Sequence, residues 1–206
     1  MFLVMGITGK VGGATAEHLL AHGKEVRALV RNREKASNWA NQGVELVDGD
    51  WNDSAVIERA LKGVEGAFVM LPSVWAPSPD YKEAKRVIAN YVEALTRAAP
   101  LRVVALSSMG ANRTSGLGMI TALSLLEQGF SDLISPIAFV RAGGFFENLW
   151  LADRPGQNAT GLLQSDKPEI DDGRDERHRR RGRNPFERAS LVWAARRRAW
   201  FDGQRG

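Results

Sequence analysis

The chain has 206 residues, of which 44% are hydrophobic, and this size fits one α/β domain with a sizeable core. It contains no cysteine, which excludes disulfides, thiolate metal sites and a cysteine nucleophile, and we expect no metal site of another kind. No apolar run approaches the roughly 20 residues that a membrane span needs, and no leader peptide is evident, so we expect a cytoplasmic protein.

The net charge of +4 is unevenly distributed along the chain. Residues 1–170 carry 17 Lys and Arg against 18 Asp and Glu, whereas residues 171–206 carry 11 Arg, no Lys and 6 acidic residues. Because the first of these parts is close to neutral, it has no excess of positive charge that would attract nucleic acid. We therefore expect neither a nucleic acid nor a membrane as partner.

The first thirteen residues, MFLVMGITGKVGG, predict a strand, a glycine-rich turn and a helix, in that order. Phe2 to Met5 is a short apolar run of the kind found in buried parallel strands. Three glycines follow at a spacing of three, and a helix predicted over residues 14–21 ends before Gly23. A strand, a turn and a helix in this order form the context of a dinucleotide-binding turn.

The glycines explain how such a turn binds a pyrophosphate. A residue without Cβ lets the anion approach the backbone, and the following helix directs its free N–H groups and positive dipole end at the anion. Thr8 adds a hydroxyl donor, and Lys10 adds a positive charge. The spacing is G-x-x-G-x-x-G rather than G-x-G-x-x-G, so a tight turn that binds nothing stays open as an alternative. A P-loop is a poorer match, because Val11 stands where that motif has Ser or Thr.

Residues 25–31, EVRALVR, predict the second strand, and the residues at its end bear on the choice of cofactor. An acidic residue at this place binds the ribose 2′-hydroxyl of NAD, whereas an Arg accommodates the 2′-phosphate of NADP. This chain has Arg31, Arg33 and Lys35 there. The charge pattern therefore favours NADP(H), with NAD(H) as the alternative cofactor and a solvated basic turn as the alternative that binds nothing.

The chain then alternates between predicted helices and strands. In chain order we expect a helix at 34–41, a strand at 44–47, a helix at 55–61 capped by Asp53 or Ser54, a strand at 64–71, a helix at 80–98, a strand at 101–106, a helix at 119–128 and a strand at 136–141. This alternation predicts an α/β fold with a doubly wound parallel Rossmann sheet, right-handed crossovers and the strand order 3-2-1-4-5-6. The longest helix has one apolar face, which is predicted to enter the core through Tyr81, Ala84, Ile88, Tyr91, Val92 and Leu95.

Two loops are predicted at the carboxyl edge of this sheet, where a doubly wound fold binds its ligand. Asp50 and Trp51 follow the third strand, where a loop of this kind can face an adenine ring. A Pro-rich loop at residues 72–79 follows the fourth strand and is expected near the ribose and the nicotinamide. Trp75 in that loop either lines the pocket or covers the core, and both interpretations stay open.

Six segments in combination resemble the NmrA-like branch of the atypical short-chain dehydrogenase/reductase superfamily. They are GITGKVGG at 6–13, ALVRNREKA at 28–36, GVELVDGDWND at 43–53, LKGVEGAFVMLP at 61–72, ALSSMGA at 105–111 and FVRAGGFFEN at 139–148. The resemblance implies an NAD(P)-binding Rossmann domain over residues 1–150, followed by a substrate region.

The resemblance also implies where the ligands bind. The glycine turn would hold the pyrophosphate, the basic residues after the second strand the 2′-phosphate, and the later loops the adenine and the nicotinamide ribose. The implied cofactor-binding residues are Gly6, Thr8, Gly9, Lys10, Val11, Gly12, Arg31, Lys35, Asp50, Trp51, Leu71, Pro72, Ser73 and Ser107. Ser107 would also border the substrate pocket, together with Trp75, Met109, Arg141, Gly143 and Phe145.

The chain departs from the wider superfamily in its catalytic residues. Ordinary short-chain dehydrogenases use a Tyr-x-x-x-Lys pair, in which the Tyr protonates the carbonyl oxygen and the Lys lowers the pKa of that Tyr. Tyr81 and Lys85 have this spacing but precede the fifth strand, whereas the superfamily's pair follows it, so we interpret them as a surface coincidence. The catalytic residues stay unassigned. Glu127 and His22 are the remaining titratable candidates, and His22 is more typical of a favourable charge at a helix end.

Without that pair, we expect an NADPH-dependent oxidoreductase that acts on a quinone-like acceptor, because water can protonate the product of hydride transfer to a quinone. The alternative is a non-catalytic NADP(H) sensor that binds a regulatory protein, as the resemblance implies for some members of the family.

Beyond residue 150 the resemblance fades, and residues 151–206 are expected to be an incomplete substrate region. A GC-rich gene read out of frame yields Arg without Lys, so we interpret the Arg-rich residues 171–206 as translated from a shifted reading frame. A nucleic-acid patch at 177–183 and a disordered charged end are the alternatives. Loss of the family's C-terminal part would expose Phe145, Phe146, Leu149 and Trp150, which favours self-association into an oligomer.

Overall fold

Six parallel strands form one sheet in the order β3-β2-β1-β4-β5-β6. The computed structural model describes residues 1–74, 76–113 and 117–143. The strands are β1 (Phe2–Met5), β2 (Val26–Val30), β3 (Glu45–Asp48), β4 (Gly66–Val69), β5 (Arg102–Ser108) and β6 (Ile137–Ala142). The predicted parallel sheet and its strand order are confirmed. The expectations about residues 144–206, including the incomplete substrate region and the shifted frame, lie outside the described residues.

Helices connect the strands. They are α1 (Lys10–Ala21), α2 (Ser37–Asn41), α3 (Ser54–Leu61), α4 (Lys82–Ala98) and α5 (Thr121–Gly129), with short 3-10 turns at Glu34–Ala36 and Gly118–Ile120. None of the helices within the described residues has the length and apolar character needed to cross a membrane.

The central strand β1 contributes to two separate cores, because its side chains alternate between the two faces of the sheet. Leu3 and Met5 pack into a cluster with residues of α3, α4 and α5, whereas Phe2 and Val4 pack into a cluster with residues of α1. All four side chains are buried. Burial on both faces is what a continuous apolar run predicts for a strand inside a parallel sheet.

The predicted ends of two helices shift for local reasons. α1 begins at Lys10 rather than at residue 14, so that Gly12 lies inside the helix. α4 begins at Lys82 rather than at residue 80, because Tyr81 adopts a left-handed conformation with φ of 55° and cannot continue a right-handed helix.

The predicted start of α3 and end of α1 are confirmed by their capping residues. The Asp53 carboxylate accepts hydrogen bonds from the N–H groups of Ala55 and Val56, so Asp53 rather than Ser54 caps α3. α1 ends before Gly23, whose φ of +66° suits a residue without Cβ.

The apolar face predicted on α4 enters the larger core. Ile88, Tyr91 and Leu95 are buried, while the other three residues predicted on that face are only half-buried. The Tyr91 ring meets the Phe130 ring edge-on, with 6.4 Å between the ring centres. α4 is therefore held firmly against the sheet beside the carboxyl ends of β1 and β4.

Candidate functional site

The turn after β1 places its glycines directly against the start of α1. Gly6 has a φ of +68°, and the Gly9 N–H donates to the Gly6 carbonyl over 2.9 Å, which closes a tight reversal of the chain. A Cβ on Gly12 would overlap the Gly6 carbonyl group and lie 2.7 Å from the Met5 carbonyl oxygen. The helix can approach the turn this closely only because position 12 has no side chain.

The first turn of α1 leaves backbone donors open beside these glycines. Gly9 precedes the helix and provides no side-chain cap. The N–H groups of Lys10, Val11 and Gly12 lie in the first turn, where a helix offers them no acceptor. These donors and the helix dipole form a positive end that suits a phosphate, and the exposed side chains of Thr8 and Lys10 lie next to it.

A cleft of about 230 Å³ opens beside the glycine turn. Its walls come from three places that are distant in the sequence: the turn, the end of β2 and the loop after β3. The lining residues are Gly6, Ile7, Thr8, Leu29, Val30, Arg31, Asn32, Lys35 and Trp51. The structure therefore brings together five of the residues predicted to bind a cofactor, namely Gly6, Thr8, Arg31, Lys35 and Trp51.

Three cationic residues follow β2, and the structure gives them different surroundings. The guanidinium carbon of Arg31 lies 3.9 Å from the centre of the Trp51 ring, and Lys35 lines the same cleft. Arg33 turns to β3 instead, where its Nη1 donates to the Asp48 carboxylate over 2.9 Å. Of the three, Arg31 and Lys35 supply positive charge to the cleft.

Asp50 uses its carboxylate within its own loop. Its Oδ1 accepts hydrogen bonds from the Asn52 backbone N–H over 2.7 Å and from the Asn52 side-chain amide over 2.5 Å. Asp50 adjoins Trp51 but does not line the cleft. The carboxylate shapes the loop that carries Trp51, and its contact with an adenine ring stays a prediction.

The end of β4 lies against the glycine turn. A Cβ on Gly6 would be 2.8 Å from the Met70 sulfur, so Met70 packs directly on the turn. The Met70 carbonyl accepts a hydrogen bond of 2.9 Å from the Tyr91 hydroxyl. Burial raises the pKa of Tyr91 far above its ordinary value, which keeps this donor protonated. Leu71 is buried, and the predicted residues 72–73 follow it at the carboxyl edge of the sheet.

Ile7, Leu29, Val30 and Asn32 line the cleft without having been predicted for the site, and Asn90 beside the cleft was also not predicted. The side-chain amide of Asn90, in the middle of α4, donates to the Trp51 carbonyl over 3.1 Å. Its partner lies 39 residues away in the sequence, and a single Asn on a half-buried helix position carries no signal of such a contact. Only the folded arrangement of α4 and the loop after β3 shows it.

Ser107, Glu127 and Arg141 form a hydrogen-bonded cluster that joins β5, α5 and β6. The Ser107 hydroxyl donates to Glu127 Oε1 over 2.6 Å, and Arg141 donates through Nε over 2.9 Å and through Nη2 over 2.6 Å to the two carboxylate oxygens. Ser107 is buried, and the Glu127 side chain is 10% exposed. Hydrogen bonds from Arg141 and then from Ser107 hold the pKa of Glu127 below its ordinary value, although burial opposes this. The ionised carboxylate thus accepts the one hydrogen bond that the Ser107 hydroxyl can donate.

Two more predicted pocket residues lie at the ends of β5 and β6. The Met109 N–H donates to a β6 carbonyl over 2.9 Å, and the Met109 methyl carbon is 3.4 Å from where a Cβ on Gly143 would stand. The structure thus places Met109, Arg141 and Gly143 at the same end of neighbouring strands. Trp75 and Phe145 lie outside the described residues.

The other titratable candidates lie apart from the cleft or are engaged elsewhere. The Tyr81 hydroxyl donates to the Gly118 carbonyl over 2.9 Å, and Lys85 is exposed on α4. His22 follows the last residue of α1, about 18 Å along the helix from the glycine turn. Within the part of the chain that the structure describes, no three His, Asp or Glu residues are grouped as metal ligands would be.

The cluster around Glu127 predicts how stability changes in acid. Glu127→Gln should lower the free energy of unfolding, because Arg141 and Ser107 lose an ionised partner. The folded-state pKa of Glu127 is lowered, so its contribution is fully present above the ordinary value of 4.5 and is lost as the pH falls through the folded-state pKa. Urea unfolding at several pH values should show the gap between wild type and variant closing below pH 4.5.

Glu93→Gln provides the matched control, because Glu93 forms an exposed ion pair with Arg97 one helical turn away. We expect that variant to unfold nearly as the wild type does at every pH. A gap for Glu127→Gln that stays constant down to pH 2.5 would contradict an ionic role for the carboxylate.

Comparison with known proteins connects this site with a family. A family model described as NAD(P)H-binding matches residues 6–130, which include the glycine turn, all the residues that line the cleft and Glu127. The chain belongs to the NAD(P)H-binding family. The matched residues include the turn for which the sequence predicted dinucleotide binding.

Several relatives of this NAD(P)H-binding chain are reductases. A (4-alkanoyl-5-oxo-2,5-dihydrofuran-3-yl)methyl phosphate reductase of Streptomyces griseus is 32% identical over 166 residues, which make up 80% of this chain and 55% of the relative. The chain is also similar to an NADPH-dependent quinone oxidoreductase from Escherichia coli, whose crystal structure is complexed with NADPH. The two sequences are 26% identical, and the structures superpose with a TM-score of 0.64. That similarity covers 74% of this chain and 52% of the other.

The predicted NmrA-like resemblance is confirmed. An NmrA-like family domain-containing oxidoreductase of Aspergillus japonicus is 39% identical over 69 residues, 32% of this chain and 21% of that protein. The chain spans about half the length of the curated relatives that it matches.

Proposed function

We propose that the chain binds NADPH in the cleft beside the glycine turn and uses it to reduce a quinone-like small molecule. The observation that carries the proposal is the placement of Arg31 on the Trp51 ring and of Lys35 in the same cleft. Two cations after β2 offer charge to a 2′-phosphate, which NADPH has and NADH lacks. NAD(H) is therefore the weaker alternative. The relative from Escherichia coli, which is NADPH-dependent and acts on quinones, supports the same choice of cofactor and acceptor.

The shape of the turn fits a dinucleotide. Because Gly12 has no Cβ, α1 packs directly on the Gly6 and Met5 carbonyls, and the open N–H groups of its first turn lie beside the glycine turn, where a helix N-terminus favours a phosphate. We assign the pyrophosphate to Gly6, Thr8, Gly9, Lys10, Val11 and Gly12. We assign the 2′-phosphate to Arg31 and Lys35, the adenine to Asp50 and Trp51, and the nicotinamide ribose to Leu71, Pro72, Ser73 and Ser107.

The residues at the ends of β5 and β6 favour an acceptor that needs no acid from the protein. NADPH, when bound, supplies a hydride, which delivers two electrons and one proton equivalent. The Ser107 hydroxyl donates its one hydrogen bond to Glu127, so toward the rest of the site it can accept a hydrogen bond but has no second one to donate. A quinone fits this arrangement, because the anion left after hydride transfer takes its second proton from water. Met109, Arg141 and Gly143 would then orient the acceptor, with Trp75 and Phe145 beside them.

The division of the chain into a cofactor region and a substrate region is part of this proposal. We propose that residues 1–150 form the NAD(P)-binding domain and that residues 151–206 are an incomplete substrate region whose Arg-rich end comes from a shifted reading frame. The match of the NAD(P)H-binding family model to residues 6–130 supports the first assignment, and 11 Arg without a Lys in residues 171–206 support the shifted frame. The coding DNA sequence tests the frame directly.

The engaged hydroxyl of Ser107 also favours a second candidate function, a sensor that binds NADP(H) without turning it over. A site in which Ser107 protonates no acceptor can keep the reduced cofactor bound while a regulatory protein reads the bound state. The sensor and the enzyme share the same cleft and differ in whether an acceptor is reduced.

The test combines binding with turnover. We expect the purified chain to bind NADPH at least tenfold more tightly than NADH in a fluorescence titration, since each charged hydrogen bond to the 2′-phosphate contributes about 1.5–3 kcal/mol. Absorbance at 340 nm should then fall on addition of a benzoquinone or naphthoquinone. Tight NADPH binding with no acceptor-dependent oxidation would favour the sensor, and equal or absent binding of both dinucleotides would overturn the proposal.

A further inference from the structure

Helix α4 contacts the two loops that flank the glycine turn through consecutive residues, Asn90 and Tyr91. The Asn90 amide donates to the Trp51 carbonyl over 3.1 Å, and the Tyr91 hydroxyl donates to the Met70 carbonyl over 2.9 Å. Consecutive side chains on a helix point about 100° apart, so a single helix can reach two separate loops. One of these loops follows β3 and the other follows β4.

The contact of Asn90 acts on the wall formed by Trp51. This residue lies in the turn between β3 and α3, where no strand or helix pairing holds its carbonyl. The Asp50 carboxylate holds the loop together from inside through Asn52, but neither residue ties the loop to the rest of the fold. The Gly49 N–H ties the start of the loop to the Val30 carbonyl over 3.0 Å, and the Asn90 amide ties its middle at Trp51, whose ring carries the Arg31 guanidinium.

The contact of Tyr91 acts on the opposite side of the turn. Tyr91 is completely buried, and its hydroxyl reaches the first residue after β4. The Met70 side chain packs on Gly6, and the chain continues through Leu71 to the loop at the carboxyl edge. A fixed Met70 carbonyl therefore sets where residues 71–73 begin.

We propose that Asn90 and Tyr91 are positioning residues for the two halves of the dinucleotide, Asn90 for the adenosine 2′-phosphate half and Tyr91 for the nicotinamide half. This inference rests on the proposed function, because it takes NADPH as the occupant of the cleft. Neither side chain touches the cofactor. Each holds the backbone of a loop whose side chains do.

The test separates the two halves with a fragment. 2′,5′-ADP contains the adenosine and both of its phosphates but lacks the nicotinamide half. Dissociation constants for NADPH and for 2′,5′-ADP are measured by calorimetry on the full chain and on Asn90→Leu, Tyr91→Phe and Asn41→Leu. Asn41 is exposed at the end of α2, so the last variant makes the same replacement as Asn90→Leu away from the cleft.

Asn90→Leu should weaken NADPH and 2′,5′-ADP by the same factor, about fivefold, as expected for a lost hydrogen bond of about 1 kcal/mol. Tyr91→Phe should weaken NADPH by a similar factor and leave 2′,5′-ADP unchanged, and Asn41→Leu should change neither. General destabilisation would raise the dissociation constants of both ligands in both variants. The inference is wrong if Tyr91→Phe weakens the two ligands equally, or if Asn90→Leu spares 2′,5′-ADP.

Hydrogen exchange of the free proteins gives a readout that needs no ligand. Amides of residues 51–53 should exchange faster in Asn90→Leu, and the amides of Met70, Leu71 and Ser73 should exchange faster in Tyr91→Phe. If wild type binds neither ligand, the proposed function fails and the assignment of cofactor halves fails with it. If wild type binds both while exchange at these loops is unchanged in the variants, the positioning roles alone are refuted.

Discussion

Arg31→Ala is expected to raise the dissociation constant for NADPH about 10- to 100-fold and to change that for NADH by less than about threefold, because only NADPH carries the phosphate that this guanidinium would bind. The Arg31 side chain is exposed, but it already lies on the Trp51 ring at 3.9 Å and lines the cleft. Removing it takes away a charged donor and the contact between the guanidinium and the Trp51 ring. Fluorescence titration with both dinucleotides at constant ionic strength measures the ratio.

The chain offers a matched control for this prediction two residues away. Arg33→Ala removes the same charge and the same volume, yet Arg33 donates to Asp48 and to the Leu46 carbonyl and does not line the cleft. We expect the preference for NADPH to survive this change almost intact. Long-range attraction of a polyanion would fall equally in the two variants, so a similar loss in both would refute a specific 2′-phosphate contact by Arg31.

Lys35 is expected to contribute to the preference for NADPH as well. Its backbone N–H is held by the Asn32 side chain over 3.0 Å, while its own side chain lines the cleft. An ammonium is a point charge without the planar fork of a guanidinium, so its contribution to a phosphate is less directional than that of Arg31. We expect the two residues together to set the preference for NADPH, with the larger contribution from Arg31.

The fold could be predicted from the sequence because its signals are local. Phe2 to Met5 is apolar without interruption, and the strand has these bounds in the structure because both of its faces are covered. Asp53 precedes a helix at capping distance and does cap it. Alternating elements of this length leave few ways to cover a parallel sheet, and the order 3-2-1-4-5-6 is one of them.

The candidate site was predictable where it is built from short stretches of chain. The glycine turn and the residues after β2 each lie within a few positions of one strand end, and the cleft brings them together. The direction of a long side chain, in contrast, could not be predicted from the sequence. Arg31 and Arg33 look equivalent in the sequence, and only the position of Asp48 on the neighbouring strand shows that Arg33 is engaged elsewhere.

Contacts between distant segments could not be predicted. The partner of Asn90 lies in another loop, and the cluster of Ser107, Glu127 and Arg141 needs β5, α5 and β6 to be packed before any distance is defined. Ser107 and Arg141 were expected near a pocket from the resemblance, but the carboxylate between them was recognised only as titratable. These are the contacts that decide which protons and donors the site offers.

Gly12→Ala is expected to have the largest effect on stability, a loss of about 3 kcal/mol or more, because the added methyl group would enter backbone that cannot move aside. The methyl would overlap the Gly6 carbonyl group and lie 2.7 Å from the Met5 carbonyl oxygen. Helix propensity acts in the opposite direction, since Ala in a helix is favoured over Gly by about 1 kcal/mol. The overlap outweighs that gain. NADPH binding should be lost as well, because any relief requires α1 to move away from the turn.

Gly13→Ala is the control that separates the contact from the substitution. It lies one position further along α1, and its added methyl group would be 3.2 Å from the Ile7 carbonyl oxygen and 3.4 Å from the Trp39 ring. These contacts are tight but not overlapping, so the propensity gain should offset them to within about 1 kcal/mol. Urea unfolding of both variants compares the two positions directly. A Gly12→Ala protein as stable as Gly13→Ala would mean that the helix can retreat from the turn, and the close backbone approach would then be no requirement of the site.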